Sequence, residues 1–176
     1  LVPDLFIGDG DSASKKTLTW LERTHATCKR FPSDKDKTDT QLTLEIVAEK
    51  KKPFIILTGG FGGRFDHAFS LLYSVVGAHL HSVLADDYEC LFVLYEDDEV
   101  VLKPSSTPKS VSLLPLTSEC RGVSIDGVHW PLSDAVLRQN HPYAISNRLA
   151  EPASQIAVKN KMGVLALYLC WNESMN

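Results

Sequence analysis

The chain has 176 residues, 44% of them hydrophobic, with Lys+Arg 18 against Asp+Glu 22 and a formal net charge of -4. That is enough for one good core or two small ones, and it excludes the large basic field that nucleic-acid binding demands. No apolar run approaches the roughly 18 residues of a membrane-spanning helix, and the first residues carry no basic-then-apolar signal pattern, so a cytoplasmic protein is expected.

Residues 5–8 read as a strand that runs into "GDGDS" at 8–12. Side chains two apart in an extended segment point to the same side, so Asp9 and Asp11 converge and call for a positive charge between them. A plain polar turn accounts for the same residues. Residues 16–24 then suit a helix around Leu18 and Leu21. The stretch "SDKDKTD" at 33–39 leads into Thr38-Asp39-Thr40-Gln41, a capping box that opens a helix through Leu42, Ile46 and Val47 to Lys50. "FIILTGG" at 54–60 is a short apolar run stopped by glycines, expected as a strand buried on both faces, with a helix following over 65–80.

Past residue 89 the apolar segments shorten and the helical period fades. "CLFVLY" and "EVVLK" flank Glu96-Asp97-Asp98 as a hairpin, and "GVSI" and "VHW" flank Asp126-Gly127 as a two-residue hairpin turn. "SVSLLPL", "YAIS", "QIAV" and "GVLALYLC" supply further strands. This composition shift divides the chain into an α/β domain over 1–103 and an all-β sandwich over 104–176. Cys28, Cys90, Cys120 and Cys170 lie far apart without CxxC spacing, which points to reduced, mostly buried thiols rather than a zinc site.

Three clusters fall where strands of the α/β half should end, and ligands of open α/β sheets bind beyond those ends. Asp9, Asp11 and Asp39 offer carboxylate oxygens suited to a hard cation such as Mg²⁺, which commonly also binds substrate phosphates. Asp34 and Asp36 equally suit helix capping. "GGFGGRFDH" at 59–67 is neither a Walker A sequence nor a G-x-G-x-x-G fingerprint. Its glycines still let backbone N–H groups approach an anion at a helix start, and Arg64 adds a forked cation for phosphate oxygens. Asp66 either fixes Arg64 or reaches the metal, and His67 reads as a hydrogen-bonded structural group. Trp130 in "GVHWPL" presents a flat face to an aromatic or cationic ring, or belongs to the core, and Ser146-Asn147 offers a hydroxyl and an amide.

Taken in order, "GDGDS", "DKDKTD", "GGRFDH", "VSLLPL", "GVHWPL" and "ISN" resemble thiamine pyrophosphokinases over nearly the whole chain. The resemblance implies transfer of the diphosphate of ATP to the hydroxyl of thiamine with Mg²⁺, leaving AMP. It implies a Rossmann-like, three-layer, mostly parallel α/β catalytic domain, a β-sandwich domain that binds thiamine, and a homodimer with active sites near the subunit interface. It makes Asp9, Asp11 and Asp39 the metal and phosphate-handling acids. Asp36, Gly62, Gly63, Arg64 and Asp66 fall on the ATP side, with Asp66 joining the catalytic acids, and Trp130, Ser146 and Asn147 on the thiamine side. Family members carry an earlier β-α unit with Asp-Gly-Gly, so a chain shortened upstream of Leu1 is expected, and Gly10 replaces a bulky residue between the two aspartates. Two rival readings remain at this level: a Mg²⁺-dependent phosphatase of the D-x-D type, and a nucleotide- or thiamine-binding module without catalysis.

Overall fold

The computed structural model describes residues 2–8, 10, 13–24, 26–31, 36–50 and 53–171. These residues form two compact units, divided between Lys52 and Pro53.

In the first unit, β1 (Leu5–Gly8) and β2 (Thr27–Arg30) pair in parallel, with Leu5 opposite Thr27 and Gly8 opposite Arg30. Helix α1 (Lys15–Arg23) joins them, and Ser14 starts it by accepting the Thr17 N–H at 3.1 Å. Helix α2 (Asp39–Ala48) begins with the anticipated capping box: Thr38 Oγ1 accepts the Gln41 N–H at 3.2 Å, and Gln41 Oε1 accepts the Thr38 N–H at 2.9 Å. Two donors that the first helical turn cannot satisfy are thereby paired. Leu21 of α1 and Leu44 of α2 are buried.

The second unit holds two sheets. In the first, β3 (Ile55–Thr58), β4 (Ser82–Ala85), β5 (Glu89–Leu94), β11 (Leu165–Cys170) and β7 (Ser110–Pro115) are ordered β3-β4-β5-β11-β7. Only β3 and β4 run parallel, as expected of strands joined through a helix, here α3 (Phe65–Ala78). The second sheet is antiparallel throughout, with β6 (Asp98–Leu102), β10 (Ile156–Asn160), β8 (Glu119–Asp126) and β9 (Leu132–Arg138) ordered β6-β10-β8-β9. One apolar core takes Leu113, Leu167 and Leu169 from the first sheet and Ile125, Leu137 and Val158 from the second. The fold is therefore β-rich with mixed sheets and few helices. Strands from both sides of residues 103 and 104 share the five-stranded sheet.

Several local expectations change. The segments around Glu96-Asp97-Asp98 are not a hairpin: β5 and β6 belong to different sheets, and β5 already has β4 and β11 on its two edges. The acidic turn is a corner, closed by Asp98 Oδ2 accepting the Tyr95 N–H at 2.6 Å, with Asp97 at φ 61. Asp126-Gly127 is not a two-residue turn, although β8 and β9 do pair antiparallel across a longer link, with Ile125 opposite Leu132. At φ 80, Gly127 runs so close to Gln155 that a Cβ would stand 2.0 Å from its carbonyl oxygen. The following residues pair away from β8: His129 N–H donates to the Arg148 carbonyl at 2.9 Å, and Ala150 N–H to that of Gly127 at 3.0 Å. The residues "YAIS" flank β7 rather than forming a full strand, held by the Leu113 N–H donating to the Ala144 carbonyl at 2.7 Å. Strand β3 is an edge strand, so Ile56 is 66% exposed rather than buried. Of the four cysteines only Cys120 is fully buried, whereas Cys28 is exposed. Among the described residues no helix is long and apolar enough to cross a membrane.

Candidate active site

The acidic cluster in the first unit is described only in part, because Asp9, Asp11 and Asp34 lie outside the described residues. Asp39 is the first residue of α2, half-buried, with its carboxylate against the end of β1: Oδ2 stands 2.7 Å from the place a Cβ on Gly8 would occupy. The capping box fixes the start of α2, and the absent side chain of Gly8 admits the carboxylate there. Asp36 is exposed in the bend before the helix. Among the described residues, no group of three or more His, Cys, Asp or Glu is arranged to hold a metal.

In the second unit the glycine bend leaves β3 through residues that need a left-handed backbone, with Gly59, Gly62 and Gly63 at φ 73, 81 and 69. Gly60 is confined for a different reason, since a Cβ there would meet Leu71 Cδ2 at 2.4 Å. Arg64 then caps α3, and its guanidinium forks onto Asp66 in the first turn: Nε donates to Oδ1 at 3.1 Å and a terminal nitrogen to Oδ2 at 2.5 Å. The Asp66 carboxylate also accepts the His67 N–H at 3.1 Å. The Arg64 hydrogen bonds hold the Asp66 carboxyl below the usual carboxylate range, and Asp66 raises Arg64 in turn. Both side chains are exposed at a helix N-terminus, and the guanidinium N–H groups not used by Asp66 are left for an anion.

Trp130 and Asn147 line a cavity of about 120 Å³, and Ser146 stands beside it without lining it. Its walls are apolar, with Val111, Leu113, Ile125 and Leu132 beneath and Trp130, Tyr143 and Asn147 among the rest. Trp130 is 57% exposed, so it is not a core tryptophan. His129 meets its ring edge-on at 4.5 Å, and the Arg148 guanidinium lies 5.6 Å from the ring centroid. Asn147 Oδ1 accepts the N–H groups of Trp130 at 3.1 Å and Arg148 at 2.9 Å, and its Nδ2 donates to the Trp130 carbonyl at 2.8 Å. Ser146, at φ 57, donates its backbone N–H to Ser112 Oγ at 3.0 Å.

Trp130, Ser146 and Asn147 are thus close together, and so are Gly62, Gly63, Arg64 and Asp66. Tyr143 and Arg148 were not singled out from sequence. The only available signal was their adjacency to "ISN", since an exposed Tyr or Arg carries no pattern of its own.

Two family models match the chain in sequence order: "Thiamin pyrophosphokinase, catalytic domain" over residues 1–84, and "Thiamin pyrophosphokinase, vitamin B1 binding domain" over residues 99–165. The chain belongs to the thiamine pyrophosphokinase family. Thiamine pyrophosphokinase from Bacillus subtilis is 24% identical over 152 residues, which cover 85% of this chain and 71% of that protein. Thiamine pyrophosphokinase 1 of Oryza sativa subsp. japonica is 24% identical over 165 residues, or 88% of this chain and 62% of the plant protein. The crystal structure of the Bacillus subtilis thiamine pyrophosphokinase superposes with a TM-score of 0.81 at 23% identity, covering 98% of this chain and 80% of that one. For thiamin pyrophosphokinase from Candida albicans the TM-score is 0.78 at 16% identity, over 97% and 74% of the two chains. The likeness to these structures establishes the fold. In this thiamine pyrophosphokinase family chain the glycine bend falls inside the catalytic match, and the Trp130 cavity inside the vitamin B1 match. Membership makes it a chain of a transferase enzyme, and neither the phosphatase nor the non-catalytic reading is favoured.

Proposed function

We propose that the chain transfers the diphosphate group of ATP to the hydroxyl of thiamine, giving thiamine diphosphate and AMP. The observation that carries this reading is the exposed Trp130 on a small apolar cavity inside the stretch matched by the vitamin B1 model. A cavity of about 120 Å³ suits one flat ring, and a tryptophan face attracts a ring bearing positive charge. Ser146 and Asn147 belong to this thiamine side.

On the ATP side stand Asp36, the bend at Gly62 and Gly63, Arg64 and Asp66. The positive φ of both glycines and the forked Arg64 at the start of α3 support their place against phosphate oxygens. Asp9, Asp11 and Asp39 are the acids that would hold Mg²⁺. Carboxylate donors fit that hard cation, and the lodging of the Asp39 carboxylate against Gly8, where no side chain intervenes, supports the fit. When bound, Mg²⁺ supplies positive charge to the polyphosphate oxygens.

The chain's own contribution is chiefly positional. Attack of the thiamine oxygen on the β-phosphorus breaks the bond to the α-phosphate oxygen, and AMP leaves with that electron pair. Arg64 orients the phosphates for in-line attack, and one of the catalytic acids Asp9, Asp11, Asp39 and Asp66 accepts the alcohol proton. Holding the two reactants in line is worth several kcal/mol, about 7 or more in well-oriented systems.

The finer architecture of the reading is a Rossmann-like, three-layer α/β part over 1–103 and a thiamine-binding sandwich over 104–176. Two parallel pairs bridged by helices, β1-α1-β2 and β3-α3-β4, support the first. A homodimer with active sites near the subunit interface, in the cytoplasm, completes it.

Incubation with ATP, thiamine and Mg²⁺ tests the reading: AMP and thiamine diphosphate should form together, whereas release of free phosphate alone would overturn it. Asp11→Asn should reduce turnover by about a hundredfold or more with the thermal midpoint unchanged. Unaltered turnover would remove Asp11 from the site.

A further inference from the structure

We infer that Asn147 is a positioning residue, whose amide sets the Trp130 face for the ring substrate through the Trp130 backbone. This rests on the reading of Trp130 as the thiamine face. Trp130 lies in a link without strand pairing of its own, and at 57% exposure its indole is not locked by packing. What holds its peptide is the Asn147 amide, which accepts from Trp130 N–H at 3.1 Å and donates to the Trp130 carbonyl at 2.8 Å. Oδ1 also accepts the Arg148 N–H at 2.9 Å, so both lone-pair directions of that oxygen are in use. An amide committed to the backbone in this way has little capacity left for a ligand.

The neighbouring residues make the clamp specific. Ser146 holds a sparsely populated left-handed conformation at φ 57, and its N–H donates to Ser112 Oγ on buried β7. The Val111 and Asn147 backbones exchange hydrogen bonds at 2.8 Å, which ties the base of the Asn147 side chain to the same strand. Arg148 approaches Trp130 at 5.6 Å yet is not among the residues lining the cavity, whereas Trp130 and Asn147 are. The guanidinium thus contacts the indole from outside the cavity lining. Through the clamp, the rigidity of the sheet is passed to an exposed aromatic side chain.

The test uses the full chain labelled with 5-fluorotryptophan, whose three tryptophans give separate ¹⁹F lines, the Trp130 line being identified by Trp130→Phe. In Asn147→Ala, without substrate, the Trp130 line should shift while those of Trp20 and Trp171 stay. KM for thiamine should rise about tenfold, with kcat and KM for ATP within about twofold. Asn147→Asp keeps the accepting oxygen but turns a carboxylate oxygen toward the Trp130 carbonyl in place of the donor, so it too should shift the Trp130 line and raise KM for thiamine, and it serves if the alanine variant folds poorly. Adding Asn147→Ala to Trp130→Ala should change nothing further. An unmoved Trp130 line in both Asn147 variants overturns the inference, as do multiplying effects in the double variant, which would mean that Asn147 touches the substrate directly. If Trp130→Ala leaves KM for thiamine unchanged, the site reading and the substrate side of this inference fall together, while the ¹⁹F comparison still judges the clamp on its own.

Discussion

The carboxylate of Asp39 takes the room that a side chain on Gly8 would need, with Oδ2 2.7 Å from the ideal Cβ position and Gly8 itself at φ 145. Gly8→Ala must therefore both strain the backbone and push the carboxylate away. A loss of about 1–3 kcal/mol in urea unfolding is expected, together with a higher Mg²⁺ concentration for half-maximal AMP formation. Wild-type values for both would separate Asp39 from the metal.

Arg64→Gln removes the fork that lowers the Asp66 carboxyl. In the native chain this ion pair favours folding above the ordinary carboxylate range, and the contribution fades as pH falls through the depressed value. Both side chains are exposed, so solvent screening keeps the effect on stability small. The visible change is in the titration: carboxyl NMR should show Asp66 moving up toward the ordinary range, and KM for ATP should rise about tenfold. An Asp66 titration that does not move would mean that the fork is absent in solution.

Tyr95 is buried, and its hydroxyl reaches the carbonyls of Val75 and Leu80, each at 3.2 Å. Burial pushes its phenol up to about 12. The native state thus keeps this proton more tightly than the unfolded chain, and the resulting stability is complete below about pH 10 and is lost as pH climbs through the raised value. Tyr95→Phe should cost about 1 kcal/mol at neutral pH and remove the component that titrates near pH 12 from the ultraviolet absorbance. A variant with an unchanged alkaline profile would place that ionisation elsewhere.

Gly127→Ala puts a methyl group 2.0 Å from the Gln155 carbonyl oxygen at a left-handed φ of 80. Backbone faces the new atom, so no flexible side chain can yield. A destabilisation of about 3 kcal/mol or more is expected, with KM for thiamine raised in whatever fraction folds, because the displaced link carries Trp130. A neutral substitution would show that the 127–131 link is free to shift.

The helices were legible because their signals are local. Thr38 and Gln41 mark the start of α2 within four residues of sequence, and both reciprocal hydrogen bonds form. Strand β2 was not anticipated, because Thr27–Arg30 is exposed throughout and carries no apolar alternation. The two hairpin expectations fared differently. At Glu96-Asp97-Asp98 the turn signal says that the chain bends, not which strand it meets next, whereas at Asp126-Gly127 β8 does pair with the following strand β9, but across a longer link that brings Leu132 opposite Ile125. At Asp98 the chain passes to the other sheet, and at Gly127 it is diverted by Gln155, residues distant in sequence. The site shows the same division. Trp130 and "ISN" stood out as residue types, but the amide of Asn147 turning toward the Trp130 backbone is a tertiary fact that no spacing encodes.

Strand β11 sits in the middle of its sheet, hydrogen-bonded to β5 on one side and β7 on the other, with Cys170 opposite both Glu89 and Ser110. A ribosome must therefore deliver residues 165–170 before either partner has a neighbour on that edge. Any nascent chain interrupted earlier displays two unpaired, apolar strand margins at once, an open invitation to self-association. Chaperone occupancy during synthesis should accordingly persist until that stretch clears the exit tunnel.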